Sequence, residues 1–350
     1  MFKNQMHARI SQGCAAYQGC PHCLHRWEPG IPRSGRKPKC IYGGYRRFLS
    51  LASPWRQKSF RWNGQVYWFR KVETRNWPKK RTLQTAAECA PLATKSKPYC
   101  GHKQGAPFLS KWRGFTWTNM GDLMHDLKTV CDMTLKTLVG KGKYGMYESW
   151  SKDDRHRFEC RACNMFPEVH DDNSPFPWRL TREEVKIVNA RICRMWWPHY
   201  VHKLAKRGHS FLQKSCRMWK ARDKLAVFLV ILPTVLRGCV PAVYQALLTV
   251  AYALRRLEGQ VVSAAEARRQ GVLPGSRVIN KRDLPGIHKD LVRGLVMMEG
   301  SLPFSNINPA MHHLVHYAVL TTKFGSLRLV LCYTLFLITC CFIINKMFKN

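Results

Sequence analysis

Acidic residues are scarce. Only 21 Asp and Glu stand against 58 Lys and Arg, a formal net charge of +37 over 350 residues. A chain so short of carboxylates cannot balance its cations by internal ion pairs. Its self-repulsion opposes compaction and is most simply offset by a polyanionic partner. The shortage is sharpest at the start: residues 1–120 hold three acids (Glu28, Glu73, Glu88) against 23 Lys and Arg. The first twenty residues, MFKNQMHARISQGCAAYQGC, contain no apolar run of the secretory kind. There is no Walker-type phosphate loop, no Gly-x-Ser-x-Gly elbow and no kinase signature, so those enzyme classes have no motif to rest on. No repeat of roughly 20–50 residues suggests a solenoid.

Cysteine is abundant. Fifteen of them in a basic chain without a secretory leader point to a reducing compartment, hence to thiols or metal sites over disulfides. Cys20-Pro-His-Cys23 has the two-residue spacing with which a tight turn delivers two thiolates to one metal. A redox pair or a chance spacing remains open beside that reading. A second such pair, Cys160 and Cys163, has no evident partners, and Cys100 with His102 forms only a weak Cys-x-His.

Aromatic residues interleave with the basic excess, as in Tyr42, Tyr45, Phe48, Trp55, Trp62 and Trp68. Phosphate contacts and base stacking use that mixture, so nucleic acid is the expected partner; a ribosomal-type or an unselected, badly translated sequence is the other reading. The candidate contacts are Arg46, Arg47, Arg56, Arg61, Lys79, Lys80 and Arg81. Asn63-Gly64 inside Arg61–Val72 predicts a hairpin with a type I′ turn, and residues 74–110 read as loop.

Residues 120–139 read as a helix with an apolar stripe through Leu123, Leu127, Val130, Leu135 and Leu138. Asp122 and His125 share a face of it. Cys131 lies about 240° round from His125, so the two meet one metal only if the helix bends or ends between them. If one zinc joined this stretch to Cys20 and Cys23, residues 20–131 would form one folded unit. Further on, Thr181-Arg-Glu-Glu184 predicts a capping box opening a helix to Arg194. Leu225–Leu236 reads as a buried helix kinked at Pro233, and Pro241–Arg256 as an amphipathic helix. Further helices are expected over Ile287–Gly300 and Pro309–Lys323. His312, His313 and His316 have helical spacing. With no carboxylate or cysteine beside them, they are read as a partly buried cluster on an ordinary helix in preference to a metal site. Finally, Leu329–Ile344 carries no charge over sixteen residues and lies between Arg328 and Lys346. It reads as a membrane span, a buried terminal helix, or sequence appended by a shifted reading frame.

Taken in order, several of these stretches resemble the transposases of En/Spm (CACTA) transposons. They are Cys20-Pro-His-Cys23, Ile41-Tyr-Gly-Gly-Tyr-Arg-Arg-Phe-Leu49, Phe60-x-x-Asn63-Gly64 and Asp122-Leu-Met-His125 with Cys131-Asp132. Tyr45 stands where that family usually has histidine. Ile231-Leu-Pro-Thr-Val-Leu-Arg-Gly238, Leu295–Pro303 with Glu299, and His313-Leu314 look like the helical domain of unknown function that follows such transposases.

The resemblance implies a mainly α chain with an irregular, basic, zinc-stapled N-terminal region, the remnant of an RNase H-like fold without its first strands. The implied divisions are 1–60 (knuckle and basic aromatic segment), 61–200 (transposase remnant), 203–327 (helical domain) and 328–346 (candidate membrane helix, Leu329 to Ile344). It also implies a structural zinc held by Cys20, Cys23 and His125, with Cys131 as fourth ligand and Asp122 orienting His125. Catalysis in the family is thought to use three acids and two metals. Glu148 is the candidate third acid. None of the nineteen residues before Cys20 is Asp or Glu, so the first two acids are expected to be missing, Mg²⁺ would be held only by a complete core, and DNA binding without strand transfer is the expected function. The expected location is nuclear on this reading. An anchored, membrane-bound basic protein is the alternative if the apolar tail spans a bilayer.

Overall fold

The computed structural model describes residues 20, 22–25, 42–56, 59–62, 65–69, 78–80, 82, 88–89, 91–93, 99, 123–139, 165–166, 178–195, 221–273, 276–302 and 306–324. Asp122, Glu148, Arg81, the Cys100/His102 pair, the Cys160/Cys163 pair and the apolar segment 328–346 with Leu329 and Ile344 lie outside them. Among the described residues the fold is mainly helical, and no helix is long and apolar enough to cross a membrane.

The core is built on three long helices. Helix α5 (Pro241–Leu257) opens on a proline, whose missing N–H costs nothing at that position, and closes on Arg255 and Arg256, which suit the dipole at its C-terminal end. Helix α7 (Leu284–Ser301) packs along it, and helix α8 (Pro309–Phe324) packs on α7. Gly294 sets the α5–α7 approach. A Cβ there would lie 2.6 Å from Val250 Cγ2 and 3.0 Å from Val250 N, so any larger residue would push the helices apart.

Helix α1 (Leu123–Leu138) buries Leu127, Val130, Leu135 and Leu138, four of the residues of its sequence stripe, against α8 and α3 (Ala221–Ala226). Lys224 of α3 is buried and pairs with Asp132 of α1 at 2.6 Å. Helix α3 runs into a π-helical turn, Val227–Ile231, and then α4 (Leu232–Val235). The wide turn comes just before Pro233, which has no N–H to continue an α-helical ladder. The Pro233 irregularity is therefore a π turn within a continuous helical path. Helix α2 (Arg182–Arg194) opens with the expected capping box between Thr181 and Glu184. Its Arg191 donates to the carbonyls of Val235 (2.8 Å) and Arg237 at the end of α4. A short helix α6 (Ala264–Gln270) completes the set.

Strands are few. β1 (Ser59–Trp62) and β2 (Gln65–Phe69) pair antiparallel with Trp62 opposite Gln65, as the predicted hairpin requires; Asn63 and Gly64 themselves lie outside the described residues. β3 (Met165–Phe166) adds to β2, and β4 (Gln260–Val261) pairs with β5 (Arg277–Val278).

The segment Tyr42–Arg56 is drawn onto the helical core. Tyr42 N–H donates to Ile307 O at 3.0 Å. Glu299 of α7 accepts from Gly44 N–H (2.6 Å) and Tyr45 N–H (3.1 Å), capping the 3₁₀ turn Tyr45–Phe48. Gly43 and Gly44 are needed there: a Cβ on Gly43 would lie 2.5 Å from Glu299 Oε1, and Gly44 has φ 81°.

Two of the arginines expected at a nucleic-acid face are buried instead. Arg46 donates to Trp55 O (3.1 Å) and Arg56 O (2.7 Å), and Arg56 donates to Leu49 O (2.9 Å). They knit this turn together, because a compact loop with few strand partners must satisfy its carbonyls from side chains. Arg47 is half-buried, Lys79 and Lys80 are exposed, and Arg61 lies in β1.

Candidate metal centre

The Cys20–Cys23 turn is held by backbone pairing with a distant stretch. Leu24 N–H donates to Lys79 O at 2.9 Å, and Cys23 forms an isolated antiparallel bridge with Lys80. Within the turn, His22 N–H points at Cys20 Sγ, 3.3 Å away. That backbone donor favours thiolate over thiol.

Facing the turn is α8. Its His312 and His316 are four apart and so project from one face. Cys20 Sγ lies 3.4 Å from His316 Nε2, Cys23 Sγ lies 3.4 Å from His312 Nε2, and the two Nε2 atoms are 3.1 Å apart. All four ligand atoms lie within 4.8 Å of one another. Thiolates at about 2.3 Å and imidazoles at about 2.0–2.1 Å from a common ion would have S···N edges of roughly 3.5 Å and an N···N edge of roughly 3.3 Å in a tetrahedron. The observed separations sit close to those edges, so the quartet can hold a metal ion.

Burial and electrostatics prepare the donors. Cys20 and His312 are fully buried and Cys23 nearly so. Burial alone would raise the Cys20 thiol. The hydrogen bond with Cys23 and the proximity of His316 and His312 outweigh it and hold the thiol well below its ordinary value. Burial pushes His312 down to about 3, so its ring is neutral and its nitrogen free to donate electrons. A bound divalent cation would take the cysteines as thiolates and the histidines as neutral imidazoles, a set that matches its charge and fills all four positions of a tetrahedron. Such a closed set serves structure; catalytic sites of this kind keep a position for water.

A second layer fixes the rings. His25 lies parallel to His312, with centroids 5.6 Å apart and planes 8° off, and donates from Nε2 to Gly43 O at 2.8 Å. Burial lowers His25 to about 4. Tyr45 stacks on His312 at 6.2 Å, and Phe48 meets it edge-on at 5.5 Å. Between the two ligands in sequence, His313 turns the other way. Its Nδ1 lies 3.2 Å from both oxygens of Asp126 on α1, and Tyr317 donates to Asp126 Oδ2 at 2.7 Å. Burial works against a charged His313, but Asp126 more than offsets it and raises the group to about 8.

The expected metal ligands therefore divide. Cys20 and Cys23 come together as the sequence suggested. The quartet is completed by His312 and His316, and Cys131 is not in it; the side chain of His125 lies outside the described residues. Cys131 is buried on α1 and is not a member of the group, and His125 belongs to the first turn of the same helix. Asp122, the expected orienting acid, lies outside the described residues. Asp126, four residues on, does orient a histidine, but on α8. The His-x-x-x-His spacing was the available signal for the pair that meets the cysteines. What the sequence hid was its partner, nearly three hundred residues upstream. Among the described residues this is the one group of three or more metal-ligating side chains within reach of a common ion. No protein-family model matches this chain, and neither does any curated protein or solved structure.

Proposed function

We propose that this chain is a zinc-stapled, transposase-like protein that binds DNA and performs no strand transfer at this metal. The observation that carries the reading is the closed Cys20–Cys23–His312–His316 quartet. A buried tetrahedral S₂N₂ set of this size suits zinc among the divalent ions, and a coordinatively filled zinc contributes folding energy in place of chemistry.

A second contact supports the transposase-like part. The Gly43-Gly44-Tyr45 turn and Glu299 both belong to stretches that resemble CACTA-type elements, one in the transposase and one in the helical domain that follows it. Here they hydrogen-bond directly across 255 and 254 residues of sequence. Two halves that interlock in this way form one folded unit, with the metal as a second clasp. DNA is the partner favoured by the excess of 58 basic over 21 acidic residues and by the exposed Lys79 and Lys80 beside the knuckle.

Metal analysis of the purified full chain tests the centre. One zinc per chain is expected, and Cys20→Ser or His316→Ala should remove it. An undiminished zinc content in both variants would eliminate the assignment. Binding to a labelled duplex should weaken steeply with salt. No binding at low salt would refute the DNA partner, and joined product from labelled transposon ends in Mn²⁺ would refute the absence of strand transfer.

A further inference from the structure

Beside the metal centre lies a cleft of about 630 Å³, within the range of small-molecule sites. Its floor is apolar: Phe48, Leu49, Leu284, Pro285 and Val319 line it. Its rim is cationic, with the exposed side chains of Lys80, Lys281 and Lys289. Among the described residues no carboxylate lines it. Ser53 also borders it, and its buried hydroxyl has no hydrogen-bond partner among the described residues. Leu284, Pro285 and His288 belong to the opening turns of the eighteen-residue α7; Leu284 N–H already donates to Lys281 O and Pro285 has no N–H, so the groups that can meet an anion here are the lysines.

We infer that this cleft seats one splayed nucleotide of a single DNA strand, with the base on the apolar floor and the flanking phosphates on Lys80, Lys281 and Lys289. The inference rests on the DNA-binding reading above and gives it a place and a substrate form. A purely inorganic anion would leave the apolar floor unused, and a purely apolar ligand would leave three lysines without a counter-charge. A nucleotide satisfies both, and an unpaired strand is the form of DNA in which a base can leave its stack.

The cleft is also coupled to the metal. One wall carries Lys80, bridged to Cys23. The other carries Ala318, Val319 and Thr322, on the same helix as His312 and His316. The metal clasps the two walls, so its removal should open the cleft even where the helical core persists.

The test is fluorescence anisotropy of the zinc-loaded full chain with a labelled oligothymidylate. A matched oligonucleotide lacking its bases and phosphatidylcholine vesicles containing phosphatidylserine serve as further probes. Lys281→Ala with Lys289→Ala removes two exposed rim charges, Thr322→Trp fills the cleft from its exposed edge, and Arg268→Ala with Arg269→Ala removes an equal charge on exposed α6. The lysine pair should weaken oligothymidylate binding by about tenfold and lower the salt slope by about 1.4, while the α6 pair leaves both nearly unchanged. The Thr322→Trp chain and the baseless strand should each lose about tenfold. Wild-type binding with no effect of the lysine pair or of Thr322→Trp would overturn the cleft and leave the DNA reading standing. Equal affinity for the baseless strand would overturn the seated base. No oligonucleotide or duplex binding by the wild type would overturn both readings together. Vesicle binding that alone depends on the lysine pair would overturn the nucleotide in favour of a membrane surface.

Discussion

Helices α1 and α8 are each sixteen residues long, and each carries histidine close to an acid or a thiol. The sequence directs attention to α1 as the metal-bearing helix, whereas in the structure α8 carries the pair that can hold an ion. Angular spacing separates the two cases. His312 and His316 are one helical turn apart and face one point, while positions six apart on a helix, as 125 and 131 are, lie about 240° round from each other. On α1 the polar groups do a different job. Asp126 locks His313 and Tyr317, Thr137 and Asn306 hydrogen-bond at 2.8 and 3.1 Å, and Asp132 takes Lys224. One helix carries the pair that can hold an ion and the other braces that helix. A chemically suggestive residue set is thus a weaker guide to ligation than the angular spacing of its members.

The largest difference between the two helices should appear on metal loss. His312→Ala should abolish zinc binding and unfold the knuckle and much of its support, because structural zinc contributes on the order of 10 kcal/mol to small sites. His125→Ala and Cys131→Ser should leave one zinc per chain. Metal content together with thermal denaturation reads both arms, and zinc loss from the α1 variants would reverse the assignment.

Next in size is Glu299, the α7 carboxyl that ties the Gly44 turn to the core. Glu299→Ala leaves two buried N–H groups without an acceptor and should cost about 3 kcal/mol in chemical denaturation. Its ionisation gives a pH signature. Burial raises the acid from 4.5 to about 7, against the pull of the Gly44 and Tyr45 N–H groups and of Arg46 and Arg47. The folded chain therefore keeps this proton to higher pH than the unfolded one, and the contribution of Glu299 to stability falls as pH rises between about 4.5 and 7. Subtracting the pH–stability profile of Glu299→Gln from that of the wild type should expose the fall. A difference that instead rises across that window would show the carboxylate to be stabilised in place.

Smaller still is the brace. Asp126→Ala should cost about 2 kcal/mol through the lost Tyr317 and His313 partners, yet leave zinc stoichiometry at one. If zinc were lost, α1 would be part of the centre and not its support. The smallest effect belongs to Thr181→Ala, at about 1 kcal/mol, from the cap of α2 alone. Hydrogen exchange should show fraying confined to the first turn of α2.

Local features were readable from the chain because they depend on neighbours in sequence. The Asn63-Gly64 hairpin, the Thr181 capping box, α1, and the helices opening at Pro241 and Pro309 all follow from turn chemistry, caps and apolar period. Half of the metal site was legible for the same reason, since Cys20 and Cys23 are three residues apart. The other half was not. The four-residue spacing of His312 and His316 is shared by ordinary helical histidines, and the turn that makes them candidate ligands arrives only through tertiary packing. Arg46 and Arg56 show the converse. Composition reads them as surface charge, but a turn short of backbone partners recruits them inward to its own carbonyls.

The two ends of the quartet are 289 and 296 residues apart. A ribosome adding about 5–20 residues per second would hold Cys20 and Cys23 waiting for roughly 15–60 s before α8 appears. For that interval the nascent chain presents two thiols to whatever metal or oxidant it meets, and an ion held by all four side chains can be acquired only after α8 has been made. The latch can close only then, so a chain ended before α8 would carry the cysteines without the means to retire them.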